Sequence, residues 1–146
     1  MQIREMQKAD IAEVARIAQA IMPFAWSELT FSNSMGTHYH AAVLEENQKI
    51  IGFVISRILL PECEIMNIGV RADYQHQGYG ELLLQHVIQK AQQENVKKIW
   101  LEVRVSNEAA LALYQKYLFK KIHVRKDYYS REKQREDAVI LARIIE

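Results

Sequence analysis

Apolar and polar positions along the chain change period several times, and each change marks an element. Met1 to Met6 alternates weakly, as a first strand would. Ile11, Val14, Ala15 and Ala18 then fall at i, i+3, i+4 and i+7, the apolar stripe of a helix. Asp10 is placed to cap that helix, Glu13 completes a capping box, and Pro23 marks the end. Ser27 reads as the cap of a second, short helix. Residues 38–45 and 50–59 form two strands joined by a hairpin at 46–49, and 63–70 form a third. The next helix carries the stripe Leu84, Val87, Ile88 and Ala91. In the strand predicted over 97–103, Ile99, Leu101 and Val103 share one face while Trp100 and Glu102 share the other. Ser106 and Asn107 open a helix whose buried stripe is Ala110, Leu113, Tyr114 and Tyr117. Strands over 119–126 and 137–145 finish the chain, with a polar loop at 127–136 between them.

The order is βααβββαβαββ. A strand–loop–helix–strand unit such as 63–103 makes a right-handed parallel crossover. The predicted fold class is therefore α/β (α+β), a mixed central β-sheet with helices on both faces. No repeat, low-complexity tract or linker interrupts it, so residues 1–146 read as a single domain.

Composition narrows the classes. A chain of 146 residues, 49% hydrophobic and 25% charged, has the make-up of an ordinary globular protein with a core. A net charge of +1 argues against bulk nucleic acid as the main partner. The most apolar run, 50–60, is broken by Ser56 and Arg57 and is too short to span a membrane. Arg4, Glu5, Lys8 and Asp10 leave no apolar leader in the first ten residues. Cys63 is the single cysteine, which excludes an intrachain disulfide and fits a reducing cytoplasm. Its strand position predicts a buried, inert thiol.

The chemistry begins at residues 75–80, Gln-His-Gln-Gly-Tyr-Gly, between a strand and a helix. Two glycines allow a tight turn and a close approach of backbone N–H groups to a ligand. The helix that follows aims its unpaired N–H groups and positive dipole end at the same spot, a site for phosphate or pyrophosphate. A ligand-free turn carries the same glycines, so the loop alone leaves both readings even. No Lys or Ser follows Gly80, and position 83 is Leu, so the loop is neither a P-loop nor a dinucleotide fingerprint.

What remains is Q-x-x-G-x-G after a strand ending in Asn67-Ile68-Gly69-Val70. It resembles the coenzyme A pyrophosphate loop of the GCN5-related N-acetyltransferases. Other stretches carry the same resemblance: Trp26-Ser27-Glu28, then residues 101–107 with Ala110, Leu113 and Tyr114, then Tyr128-Tyr129 with residues 135–138. With the element order, it covers nearly the whole chain. Ala25 stands where the family usually has Pro, and Leu118 where a helix-ending Gly is usual. The second change predicts a turn that tightens differently.

The resemblance implies acetyl-CoA as co-substrate, no metal, and a protein α-amine as acceptor, namely the N-terminal alanine of ribosomal protein S18. It implies pyrophosphate contacts from His76, Gln77, Gly78, Tyr79, Gly80 and Glu81. Ile68, Gly69 and Val70 would act through the backbone of a bulged, splayed strand that pairs with pantetheine and frees an N–H for the thioester oxygen. Glu102 would be the general base and Tyr114 the general acid.

Taken as residues, these positions have plainer readings too. Glu102 is an acidic residue on a strand, where acids are disfavoured; spacing alone favours a surface carboxylate facing Arg104. An α-amine with a pKa of roughly 7.7–8.0 does need such a base at neutral pH. Tyr114 suits a core aromatic whose hydroxyl reaches outward. Asn107 either bonds the pantetheine or caps its own helix. Trp26, Tyr128 and Tyr129 can wall an acceptor groove, although residue type alone makes Phe24 and Trp26 buried plugs. His38 and His40 share a strand face but lack a Cys or acidic residue at zinc-like spacing. Basic residues crowd 116–135, as a solvated face or as attraction for the coenzyme's phosphates or for an acidic partner. The rival readings are a lysine or small-amine acetyltransferase and a coenzyme A-binding regulatory module without turnover. Glu102 and Tyr114 argue against the module.

Overall fold

Alternation along the central strands sorts the apolar side chains into two cores, one on each face of a sheet. In the computed structural model the described residues are 1–131 and 134–146, and for 127–135 no side chain is described. The elements run β1 (Gln2–Glu5), α1 (Ile11–Ile21), α2 (Glu28–Asn33), β2 (Tyr39–Glu46), β3 (Lys49–Leu59) and β4 (Glu62–Val70). They continue with α3 (Tyr79–Gln93), β5 (Lys98–Arg104), α4 (Glu108–Lys116), β6 (Lys120–Arg131) and β7 (Gln134–Ile144). The strands form one seven-stranded sheet in the order β1-β2-β3-β4-β5-β7-β6. The predicted element order and mixed sheet are both found.

On one face, Val43, Phe53 and Ile55 pack against Ile17 and Ala18 of α1 and Phe31 of α2. On the other, Leu44, Val54, Ile99 and Leu101 pack against Leu84, Val87 and Ile88 of α3. Each Val, Leu, Ile or Phe among them contributes about 1.5–3 kcal/mol when fully buried. The alternation predicted for β5 holds, with Ile99, Leu101 and Val103 buried and Trp100, Glu102 and Arg104 half-buried on the opposite face.

Three local expectations are corrected. Asp10 has helical backbone angles and closes a 3-10 turn, Lys8–Asp10, ahead of α1 rather than capping α1. Its carboxylate accepts from the Gln7 N–H at 2.7 Å and from Arg4 at 2.8 and 3.0 Å. Arg4 also reaches Glu45 at 2.9 Å, so the cluster ties β1 to β2, and the Arg4 hydrogen bonds hold the Asp10 carboxyl below its usual range. Glu13, expected in the capping box, pairs with Arg16 and with Arg71 at 2.9 Å. The polar stretch after residue 126 is not all loop, because β6 runs on to Arg131 and β7 starts at Gln134, paired Tyr129↔Glu136 and Ser130↔Arg135. Backbone pairing needs no apolar side chains once a hairpin is in register.

The third correction is at Leu118. Instead of a different turn, α4 ends in the ordinary glycine-type geometry with leucine in it. Leu118 sits at φ 70°, in the left-handed region. Its N–H bonds the Gln115 carbonyl at 3.0 Å, and the Phe119 N–H bonds the Tyr114 carbonyl at 3.0 Å. That is a Schellman motif, and its usual apolar contact is the Tyr114–Phe119 ring pair, with centroids 5.7 Å apart. The left-handed conformation costs an L-residue roughly 1–2 kcal/mol. Leu118 is 66% exposed and recovers little by burial. Leu118→Gly is therefore expected to stabilise the protein by about 0.5–1 kcal/mol after the glycine's own entropy cost, read as a raised urea midpoint. A lowered midpoint would contradict the assignment.

Candidate functional site

The parallel pair of β4 and β5 runs only from Glu62↔Lys98 to Ile65↔Leu101. On the other side, β4 stays paired with β3 through Val70↔Gly52. The register there slips between Ile55 and Ser56, because Met66 is an extra residue in β4. That bulge bends β4 away from β5. Beyond Ile65 and Leu101 the sheet is split, and the β5-facing backbone of residues 66–70 lines a slot.

Two cavities, of about 530 and about 710 Å³, adjoin this split. Met22, Ile68, Arg104, Asn107, Ala110 and Tyr114 belong to both. The larger runs past Ile68, Gly69 and Val70 to His76, Gly78, Tyr79, Gly80 and Glu81. The smaller carries Glu102 and Trp26. Side chains on β5 alternate, so Glu102 belongs to the sheet face opposite that of Leu101 and Val103, while Tyr114 packs into the core with Leu101 and Val103. Both line the smaller cavity, which therefore passes through the split from one face to the other.

The loop is held by its own side chains. Gln75 Nε2 donates to the Val70 carbonyl at 3.0 Å, and Gln77 Nε2 to the Asp73 carbonyl at 3.4 Å. Gln77 is thus occupied beside the loop, and it is not among the cavity-lining residues. His76 (φ 63°) and Gly78 (φ 88°) are both left-handed. Gly78 is the N-cap of α3 and has no side-chain cap, so the first N–H groups of the helix open onto the larger cavity. Space is not what demands glycine at 78, since a Cβ there meets nothing within 4 Å; the positive φ is. At Gly80 a Cβ would make only ordinary contacts, 3.9 Å from Leu113. Gly69 is different again, because a Cβ would lie 2.8 Å from Ile21 and 2.9 Å from Phe53. Glycine at 69 lets the end of α1 press onto β4, and this is a packing reason that the sequence reading lacked.

Glu102 Oε1 pairs with Arg125 Nη1 at 3.0 Å, across β7. The expected partner, Arg104, pairs instead with Glu136 at 3.0 Å. Glu136 also accepts from the Ser106 N–H at 2.9 Å, and its bonds to Ser106 and Arg104 hold its carboxyl below the usual range. Glu64 on β4 pairs with Arg57 at 3.1 Å, and burial pushes its carboxyl up. Tyr114 is 4% exposed, and burial raises its phenol well above the usual value, so it stays protonated at neutral pH. Asn107 caps α4, with Oδ1 accepting from the Ala110 N–H at 3.2 Å. The α4 stripe is only half-buried except at Tyr114, because α4 is a wall of the cavities rather than a core helix.

Trp26 is half-buried and meets Phe31 edge-on at 5.2 Å. Phe24 is not the buried plug expected from its type. It is 46% exposed on the wall of the smaller cavity, under the Arg104 guanidinium at 5.5 Å from the ring centre. The side chains of Tyr128 and Tyr129 lie outside the described residues. Cys63 is buried and its thiol is pushed up to about 12, as an inert thiol would be. Among the described residues no group of three His, Cys, Asp or Glu could hold a metal ion, and no helix is long and apolar enough to cross a membrane. Sequence reasoning missed Arg125, whose pairing with Glu102 depends on strand register. It also missed Met22 and Pro23, which line both cavities where the end of α1 meets the split.

Comparison with known proteins gives the same answer as the split sheet. Residues 11–118 match the acetyltransferase (GNAT) family. The [ribosomal protein bS18]-alanine N-acetyltransferase of Escherichia coli strain K12 is 39% identical over 140 residues, 96% of this chain and 95% of that protein. The Haemophilus influenzae protein of the same name is 37% identical over 141 residues, 96% of each chain. The crystal structure of the Escherichia coli ribosomal-protein-S18-alanine N-acetyltransferase superposes with a TM-score of 0.92, covering 97% of this chain and 91% of that one. Match, identity and fold agree, and the chain belongs to the GCN5-related N-acetyltransferase (GNAT) family.

Proposed function

We propose that this protein transfers the acetyl group of acetyl-CoA to the N-terminal α-amine of a protein, with the alanine of ribosomal protein S18 as the acceptor. The observation that carries the reaction is the convergence of Glu102 and Tyr114, from opposite faces of the sheet, on one cavity at the split between β4 and β5. The acceptor rests on the relatives, which are named for that alanine and match 95–96% of their own length.

The residues fit the coenzyme. The uncapped start of α3 and the left-handed Gly78 offer N–H groups to the pyrophosphate. The β5-facing backbone of Ile68, Gly69 and Val70 offers strand-like bonds to pantetheine. Asn107, with Oδ1 engaged in its cap, presents its amide NH₂ on the shared wall. His76, Tyr79, Gly80 and the backbone of Glu81 complete the lining, with the Glu81 carboxylate engaged by Lys116 and Tyr117, whereas Gln77 acts on the loop. The coenzyme supplies the acetyl group as a thioester.

Glu102 takes the proton that the α-amine must lose before it attacks, and Arg125 holds that carboxylate in place. A C–N bond forms, the C–S bond breaks, Tyr114 gives its hydroxyl proton to the departing thiolate, and the second proton lost by the acylated nitrogen restores the phenol through solvent. Burial keeps the phenol protonated at neutral pH, and the same desolvation disfavours a free thiolate, so the proton passes to sulfur as the C–S bond breaks. Phe24 and Trp26 wall the cavity on the Glu102 side and receive the acceptor's first residues; Tyr128 and Tyr129 are assigned to the same groove from sequence.

Tyr114→Phe keeps the ring packing on Phe119 and removes only the hydroxyl. Turnover is expected to fall roughly 10²–10⁴-fold, the usual worth of a positioned acid, with coenzyme affinity nearly intact. Full turnover in the folded variant would remove Tyr114 from the mechanism. Glu102→Gln should lower the rate at neutral pH and recover activity as the pH passes roughly 8, where the α-amine deprotonates unaided. An unchanged pH–rate profile would exclude the base.

The acceptor is tested by mass spectrometry on three substrates: an Ala-starting S18 peptide, the same peptide blocked at its N-terminus but containing Lys, and a polyamine. Label on the α-amine of the first is expected. Label confined to lysine or to the polyamine would move the assignment to the rival acceptors, and no label on any would favour a non-catalytic coenzyme-binding module.

A further inference from the structure

Glu81 is the third residue of α3, inside the turn whose N–H groups form the anion cradle. It also lines the larger cavity. A carboxylate there suits an empty helix end, because it complements the dipole. It is at odds with a bound pyrophosphate, because two anions then share one helix terminus.

The carboxylate is bonded away from the loop. Lys116 Nζ, on α4, donates to Glu81 Oε1 at 2.5 Å, and Tyr117 Oη donates to the same oxygen at 2.7 Å. Tyr117 Oη in turn accepts from Gln85 Nε2 at 2.6 Å, one turn further along α3. The Lys116 bond, and then the Tyr117 bond, hold the Glu81 carboxyl below its usual range, and the same contacts raise Lys116 and Tyr117. Glu81 is therefore ionised at neutral pH, and among the described residues its charge is paired with one cation, Lys116.

We propose that Lys116 is a positioning residue for the coenzyme, one that cancels the Glu81 charge at the pyrophosphate cradle and holds that carboxylate against α4. The proposal rests on the coenzyme reading above and adds a residue to it. Lys116 acts through Glu81, so its effect should vanish when Glu81 is neutral. It should also vanish for a donor that has no phosphates.

The test measures Kd for acetyl-CoA by calorimetry, and KM for acetyl-CoA and for acetyl-pantetheine, at low and high salt. In Lys116→Met, Kd for acetyl-CoA should rise roughly two- to tenfold at low salt, the scale of one unit charge near a helix terminus in mostly aqueous surroundings. The change should shrink at high salt. KM for acetyl-pantetheine should not move. The double variant Glu81→Gln/Lys116→Met should bind acetyl-CoA like the parent protein. A double variant as weak as Lys116→Met would overturn the proposal, because Lys116 would then act on the phosphates directly or through packing. An equal loss with acetyl-pantetheine would assign it a purely structural role, and an unchanged Kd in Lys116→Met would end the idea. Failure of the parent protein itself to bind acetyl-CoA is a separate result, and it would overturn the coenzyme reading and this proposal together.

Discussion

The constraint on which the rest depends is that β4 and β5 pair for four residues and then part. A sheet interior does not leave backbone N–H and C=O groups unpaired without reason, since each buried unmatched group costs about 1–3 kcal/mol. Here the unpaired edge is supplied on purpose, by one extra residue, Met66, that bends β4 while β3 holds its other side. The consequence is a passage through the sheet. In the proposed reaction an acceptor approaching on the α1 side meets a thioester held on the α4 side, and Glu102 and Tyr114, proposed to move the protons, stand on opposite faces of one layer.

Several elements keep that passage at its width. The end of α1 presses on β4 because residue 69 is glycine. Gln75 ties the loop after β4 back to the Val70 carbonyl. Arg104 and Glu136 lock β5 to β7 at the mouth, and Glu136 also fixes the backbone at Ser106 where α4 begins. At the far end of α4, the left-handed Leu118 closes the helix so that Phe119 turns back onto the Tyr114 ring. That closure fixes the position of the phenol, at the expense of a left-handed leucine.

The sequence was most legible where period and residue type agree. The alternation of Ile99, Leu101 and Val103 placed Glu102 on the opposite face, and the two glycines of residues 75–80 marked the tight turn between β4 and α3. Partnerships set by strand register were not legible. Arg125 and Glu102 are 23 positions apart and meet only because β6 pairs with β7 and β7 with β5. Residue type misled at Phe24, which is held at φ 57° on a cavity wall, and at Leu118, where Schellman hydrogen bonds and the Tyr114–Phe119 contact hold a leucine in the left-handed turn. At Asp10 the acidic side chain was recognised as a capping group but assigned to the wrong turn, since its partner Arg4 comes from the preceding strand.

Hydrogen exchange of the backbone amides, with and without saturating acetyl-CoA, tests the central claim most directly. The account predicts slower exchange at residues 66–70, the free edge of β4, together with residues 78–81 at the start of α3, and no change in β1 and β2. Binding of the coenzyme with exchange at 66–70 unaltered would contradict it, because the split between β4 and β5 would then not be where the coenzyme lies.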